Sequence, residues 1–304
     1  MQYEDTIHSA VVVGAGTMGH GIAHVLCAAG IATTLADQSA DAVENGVKKI
    51  DENLSKGVAK GKLTAAERDT ALSLLTTATT PAAQLTALSS ATLLIEAIPE
   101  RMALKTALFA EASGVMPATA LLASNTSSLS ITEIAAATTC PERVVGLHFF
   151  NPVHIMKLLE IVRGPLSSDE SVSRAQALAV RLNKSAIVVN DAPGFATSRL
   201  GICLGNEAMR MLEEGVASAT DIDTAMKLGY GHPMGPLALS DLVGLDVRLH
   251  ISEGLYAELG TDGFRPPRVM KRLVKLGHLG KKSGRGFYIW ENGEIVGENP
   301  AARR

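Results

Sequence analysis

Near its start this chain runs an apolar strand into spaced glycines, Ser9-Ala10-Val11-Val12-Val13-Gly14-Ala15-Gly16-Thr17-Met18-Gly19-His20-Gly21, and that junction leaves few folds open. Each glycine of the GxGxxG has a mechanical reason. Gly14 permits a tight bend, Gly16 lets the backbone approach a pyrophosphate, and Gly19 lets the following helix close on the strand. Val11 to Val13 read as a fully buried strand, and Met18, Ile22, Val25 and Leu26 form an apolar helix face. A second strand, Ile31 to Ala36, ends in Asp37, 18 residues beyond Gly19. A carboxylate there accepts hydrogen bonds from the hydroxyls of an adenine ribose, although any Asp at a strand end can equally cap the next helix. No arginine follows in Gln38-Ser39-Ala40 to receive a ribose phosphate, so NAD is favoured over NADP.

A chain of 304 residues, 46% of them hydrophobic, is long enough for roughly two well-cored domains. A net charge of -3 gives no overall pull toward nucleic acid or an anionic membrane. Cys27, Cys140 and Cys203 are widely spaced and show no metal-ligand pattern, so they read as reduced thiols and no metal is expected. The N-terminus has no cleavable-leader pattern and no apolar run is long enough to cross a bilayer. A cytoplasmic protein is expected.

Strand signals near 7-13, 32-37, 92-98, 119-123, 143-149, 157-162 and 185-189 alternate with helical stretches. The fold class that follows is α/β, a Rossmann-type doubly wound parallel sheet, over residues 1-190. The run 41-75, with Gly57 and Gly61 near its middle, predicts a helical hairpin projecting from the sheet, and 58-90 is rich in Ala, Thr and Leu at helix-compatible spacing. After Asp191-Ala192-Pro193-Gly194 the strand signals stop, and 191-304 reads as an all-helical domain, closed by a terminal hairpin around Asn292-Gly293. Met209, Met211, Leu212 and Val216 form a stripe best read as that domain's core.

Two segments depart from ordinary sheet strands. Val144-Val145-Gly146-Leu147-His148-Phe149 delivers a histidine near its C-terminal end, where open α/β sheets place their ligands. In Lys157-Leu158-Leu159-Glu160-Ile161-Val162 a period of two puts Glu160 on the face of Leu158 and Val162, a costly place for an unpaired carboxylate. Pairing the two solves both problems, because the carboxylate fixes the imidazole tautomer and leaves the other nitrogen to exchange a proton. A satisfied structural histidine and a glutamate on a backbone donor are the plainer alternative. Ser124-Asn125-Thr126-Ser127-Ser128 follows the strand Ala120 to Ala123 and would lie beside a bound nicotinamide, with Ser128 or Ser130 as simple helix caps the plainer alternative.

Together GAGTMG, SNTSSL, GLHFFNPV, KLLEIV, DAPGF, DIDTAMKLGYGHPMGPL, DLVGLD and GKKSGRGFY resemble the 3-hydroxyacyl-CoA dehydrogenase family over nearly the whole chain, including its bacterial 3-hydroxybutyryl-CoA enzymes. The resemblance implies reversible NAD-dependent oxidation of an L-3-hydroxyacyl-CoA thioester in a cleft between a Rossmann domain and a helical domain that forms a homodimer. It implies His148 as general acid/base, Glu160 as its orienting partner and Ser127 as the group that hydrogen-bonds the reacting oxygen. Cofactor contacts then map onto Gly14, Gly16, Thr17, Met18, Gly19, Asp37, Gln38, the strand end Glu96-Ala97-Ile98, Glu100, Lys105 and Asn125. Substrate contacts map onto Ser127, Asn151 and Ser198. Ser198 stands where the family commonly has Asn, and an uncompensated lost hydrogen bond there costs about 1-3 kcal/mol. Ser55, Lys56, Lys60 and Lys62 on the hairpin suit the phosphates of CoA, against the alternative of a solvated lysine face. A dehydrogenase of a free small hydroxy acid, or a non-catalytic NAD-binding relative, are the rival readings.

Overall fold

The computed structural model describes residues 7-303. Met1 to Thr6, part of the N-terminus read above for a leader pattern, and Arg304 lie outside the described residues. The chain divides into two compact units, Met1–Ala192 and Pro193–Arg304, two residues beyond the boundary expected at 190.

The first unit carries an eight-stranded sheet. Its strands are β1 (Ser9–Val13), β2 (Ala32–Ala36), β3 (Leu75–Ala78), β4 (Leu93–Glu96), β5 (Leu121–Ser124), β6 (Val144–Phe149), β7 (Leu158–Arg163) and β8 (Ser185–Asn190), in the order β3-β2-β1-β4-β5-β6-β7-β8. The helices are α1 (Thr17–Ala28), α2 (Ala40–Ala59), α3 (Ala65–Ser73), α4 (Pro81–Ser90), α5 (Met102–Val115), α6 (Ile131–Ala136) and α7 (Asp169–Arg181). The order reverses between β1 and β4, which is the crevice where doubly wound sheets bind dinucleotides. Central strands are buried on both faces: Val12, Ile95, Leu121 and Leu147 on one side and Val11, Leu94, Leu122 and Val144 on the other are at most 1% exposed.

Three expectations need correction. The sheet is not wholly parallel, since β7 runs antiparallel to β6 before β8 resumes parallel pairing with β7. Residues 150-157 join β6 to β7 without a helix, too little chain for a parallel crossover of about a dozen residues or more. An edge strand, β3, lies inside the Ala/Thr/Leu-rich run expected to be helical. Finally, the 41-75 segment is a hairpin of α2 and α3, but its base is packed: Val43, Gly46, Ile50 and Leu54 are buried. The break falls at Gly61 (φ +65°), and Gly57 lies inside α2 against Leu63.

The second unit contains α8 (Thr197–Glu214), α9 (Ala219–Thr224) continued by a π-helical turn over Ala225–Gly229, α10 (Pro236–Val243), α11 (Leu245–Leu259) and α12 (Arg268–Lys275). As expected, it is helical and closed by an antiparallel hairpin, β9 (Tyr288–Glu291) and β10 (Glu294–Glu298). Asn292 and Gly293 both have positive φ, the requirement of a type I′ turn. Met209 and Leu212 lie in the core, Met211 packs against it, and Val216 is exposed. Buried Asp241 pins the hairpin by accepting from the Phe287 and Tyr288 amides and the Trp290 indole, at 2.8-2.9 Å.

Candidate active site

The glycine turn is built against the strands beside it. Gly14 has φ +104°, and a Cβ there would stand 2.5 Å from the Ala97 carbonyl oxygen. At Gly19 a Cβ would meet the Gly14 carbonyl at 1.6 Å. Gly16 differs: its φ is -66°, open to any residue, and among the described residues no atom beyond its two chain neighbours lies within 4 Å of a Cβ built there. Neither conformation nor packing asks for glycine at 16, so the need comes from a ligand's close approach. No side chain caps α1 at Gly16 and no acidic residue occupies its first turn, Thr17-Met18-Gly19, so its N-terminal donors are kept for an anion. The residues present therefore fit a dinucleotide.

At the end of β2, Asp37 accepts from the Ala15 amide (2.8 Å) through Oδ2 and from the Ser39 amide (3.0 Å) through Oδ1. It does not cap α2, a task that falls to Ser39. Gln38 follows it in the same connection. At the end of β4, fully buried Glu96 accepts from the Ile98 amide (2.7 Å), Lys105 Nζ (2.6 Å) and Ser124 Oγ (2.6 Å). Burial pushes its carboxyl above the usual range, against the pull of Lys105. Lys105 also lies 3.1 Å from Glu100, whose carboxylate in turn accepts from the Thr126 hydroxyl and the Ser127 amide. With no exposed surface, Lys105 organises these carboxylates instead of presenting its ammonium to a ligand.

That network sets the loop after β5. Thr126 Oγ1 accepts from the amides of Ser128 and Leu129, and Ser130 caps α6, so these hydroxyls are structural. The Ser127 hydroxyl is half-exposed and takes no partner among the described residues. Asn125 Oδ1 accepts from the Phe149 amide at 2.8 Å, tying this loop to β6. Asp191 holds the far end, accepting from Ser130 Oγ, Thr132 N and Thr132 Oγ1 at 2.6-2.9 Å.

The antiparallel step brings the imidazole and carboxylate together. His148 and Glu160 are directly opposed in the β6-β7 ladder, so their side chains share a face, and His148 Nδ1 lies 2.8 Å from Glu160 Oε2. Glu160 is fully buried and His148 is 7% exposed, with Phe150 packed against its ring at 4.4 Å. His148 sits near the C-terminal end of β6, the same end of the sheet as the glycine turn, Glu96 and Asn125. Asn151 follows on the exposed connection, while Ser198 lies in the first turn of α8 in the second unit. On the hairpin, Lys56, Lys60 and Lys62 are exposed, but Ser55 is engaged with Asp51 and Arg68.

Sequence reasoning overlooked the organising roles of Glu96, Thr126 and Asp191. The first had a readable signal, because Leu93-Leu94-Ile95-Glu96 buries a carboxylate in an apolar strand by the same logic that singled out Glu160. Among the described residues no cluster of His, Cys, Asp and Glu could hold a metal ion.

A doubly wound sheet with a glycine turn at its switch point and an imidazole–carboxylate pair at the same sheet end defines a dinucleotide-dependent dehydrogenase. Two family models match, "3-hydroxyacyl-CoA dehydrogenase, NAD binding domain" over residues 9-192 and "3-hydroxyacyl-CoA dehydrogenase, C-terminal domain" over 194-290. The chain belongs to the 3-hydroxyacyl-CoA dehydrogenase family, and its cofactor is NAD. It is similar to a probable 3-hydroxybutyryl-CoA dehydrogenase of Bacillus subtilis, at 45% identity over 94% of this chain and 98% of that one. A 3-hydroxybutyryl-CoA dehydrogenase of Mycobacterium tuberculosis is 43% identical over 94% and 99%. Among solved structures, an (S)-3-hydroxybutyryl-CoA dehydrogenase from Ralstonia eutropha superposes with a TM-score of 0.89 at 40% identity, covering 94% of this chain and all of that one.

Proposed function

We propose that this chain reversibly oxidises a short L-3-hydroxyacyl-CoA, such as 3-hydroxybutyryl-CoA, to the 3-ketoacyl-CoA. The observation that carries the reading is the 2.8 Å His148–Glu160 pair at the ligand-binding end of the sheet. Bound NAD supplies the hydride acceptor. His148 Nε2 takes the proton of the 3-hydroxyl as the C3 hydride leaves, and Glu160 stabilises the imidazolium that results. In the reducing direction the same imidazolium returns the proton to the carbonyl oxygen. The Ser127 hydroxyl, free of structural duty, aligns that oxygen, and Asn151 contacts the acyl group. Asn125, with Oδ1 committed to Phe149, offers its amide donors to the nicotinamide. Asp37 reads the adenine ribose and disfavours a 2′-phosphate, with Gln38, Ala97, Ile98 and Glu100 completing the cofactor site. Lys56 and Lys62, and Ser55 once released from Arg68, meet the CoA phosphates.

Apolar residues left exposed on α10 (Leu239, Leu242, Val243) and Val247 on α11 support a homodimer formed through the second unit. Free Cys27, Cys140 and Cys203 suit a reducing, cytoplasmic setting, and among the described residues no helix is long and apolar enough to cross a membrane. The deciding experiment follows NADH oxidation with acetoacetyl-CoA and with free acetoacetate in parallel. Turnover of the thioester alone is expected. NADH binding without acetoacetyl-CoA-dependent oxidation, or equal use of the free acid, overturns the reading.

A further inference from the structure

The chemistry above leaves the two histidines of α1 unused, and they stand about one helical turn apart on the same side of it. His20 reaches back through Nδ1 to the Gly16 carbonyl at 2.8 Å, bracing the glycine turn from within the helix. His24 is 6% exposed, and its Nδ1 is buried without a hydrogen-bond partner. Its ring stacks on that of His154, in the β6-β7 connection, with centroids 5.2 Å apart and planes at 15°. Beside the stack Val153 is buried, and a Cβ on Gly21 would stand 2.8 Å from its Cγ2, so glycine lets this connection close on α1. Lys184 Nζ clamps the same segment through the carbonyls of Val153 and Met156, each at 2.8 Å.

A buried ring nitrogen without a partner is costly, and what the ring at 24 provides against that cost is its face contact with His154. Burial, and then the charges of His154 and His20, push His24 down to about 4, and burial lowers His154 as well. Both rings are therefore neutral at pH 7 and meet as flat, uncharged faces. The tether matters because of what precedes it in the chain. Phe150, at the start of the connection, packs its ring on the His148 imidazole with centroids 4.4 Å apart. Residues 151-153 alone separate Phe150 from His154, so a connection that lifts off α1 takes Phe150 with it. Glu160 holds the imidazole at Nδ1 and Phe150 holds its ring, and loosening either lets Nε2 leave its line. Helix α1 thus carries the glycine turn at its N-terminal end and, about 12 Å further along, the seat of the segment that packs His148.

We propose that the His24–His154 stack is a positioning device for the reaction, tying the β6-β7 connection to the dinucleotide-binding helix so that Phe150 keeps the His148 imidazole in place. This rests on the reading of His148 as the proton-transfer group. His24 and His154 are positioning residues that act through Phe150, and the Gly21–Val153 contact and Lys184 are the other points of attachment. An aromatic stack is worth up to about tenfold in an equilibrium, and a small misplacement of a catalytic group costs at least as much in rate.

The test measures kcat and KM for acetoacetyl-CoA, the NADH Kd by fluorescence and the urea midpoint. His154→Ala, at an exposed position, removes the stack without hollowing the core. It should lower kcat at least about threefold and leave the NADH Kd unchanged. His154→Phe keeps a flat ring for the stack and should recover most of the loss. His24→Ala should match His154→Ala, and the double variant should lose no more than either alone, as expected of one shared contact. In a Phe150→Ala background, His154→Ala should cost nothing further. A kcat in His154→Ala within about threefold of wild type overturns the proposal, whether or not the urea midpoint falls. So does an equal weakening of NADH binding, which would place the effect at the glycine turn, or a loss that persists undiminished without the Phe150 ring. Wild-type protein that reduces acetoacetyl-CoA no faster than these variants loses the brace and keeps the dehydrogenase reading. Wild-type protein without turnover overturns both.

Discussion

Replacing Glu160 by Gln separates what its charge does from what its shape does. The side chain keeps its size and its acceptor oxygen toward His148 Nδ1, so the imidazole stays oriented across the β6-β7 ladder. What disappears is the anion facing the imidazolium formed during turnover. Glu160 has no exposed surface and solvent screens the pair little, so the full value of a charge-assisted hydrogen bond, about 1.5-3 kcal/mol, is at stake. That predicts a fall in kcat of about 10- to 150-fold. The stability cost should be small, since exchanging a buried charge for a neutral isostere removes a desolvation penalty. The assay is steady-state acetoacetyl-CoA reduction, with NADH affinity and the urea midpoint measured on the same protein. A kcat within about threefold of wild type would refute imidazolium stabilisation. A kcat loss matched by a lower urea midpoint would mean that the pair is structural.

Three further outcomes follow from other parts of the molecule. With Asp37 held by the Ala15 and Ser39 amides, NADPH should be used at least about 100-fold less efficiently than NADH, because its ribose phosphate meets a fixed carboxylate, and comparable kcat/KM values would contradict this. Lys105→Met leaves Glu96 buried without its cation and should destabilise the first unit by about 3-5 kcal/mol in urea, with Glu96→Gln in the same chain recovering part of the loss; an unmoved midpoint would remove Lys105 from the network. Burial pushes Asp241 up to about 6 from 3.8, so its contribution is fully present below pH 3.8 and fades as pH rises through 6. Wild-type stability minus that of Asp241→Asn should therefore decline by about 2 kcal/mol between pH 4 and pH 7, and a difference that is flat with pH would be inconsistent with a raised carboxyl.

Residues with strong periodicity were the legible ones. Val11 to Val13, the glycine spacing and Asp37 suffice for the dinucleotide half of the sheet, because each position there answers to local geometry. Glu160 could be singled out because a carboxylate on an apolar face of a strand demands a partner, and the partner was the nearest histidine on the preceding strand. Strand direction was harder. The absence of any helix between Phe149 and Leu158 signals an antiparallel return, but the alternation elsewhere in the chain masked it. Leu75–Ala78 escaped because an edge strand with two exposed threonines carries no hydrophobic alternation. The Glu96–Lys105–Glu100 network depends on three elements meeting, and the His24–His154 stack joins residues 130 positions apart, which no local pattern encodes.

The direct opposition of His148 and Glu160 makes the site brittle within its strands. A single residue inserted within either strand slides the pairing by one step and turns one member to the opposite side of the sheet. The connection after Phe150 is held separately, by Val153 buried against Gly21 of α1 and by Lys184 on the carbonyls of Val153 and Met156. Natural or laboratory variants should accordingly accept substitution elsewhere in β6 and β7 but not insertion.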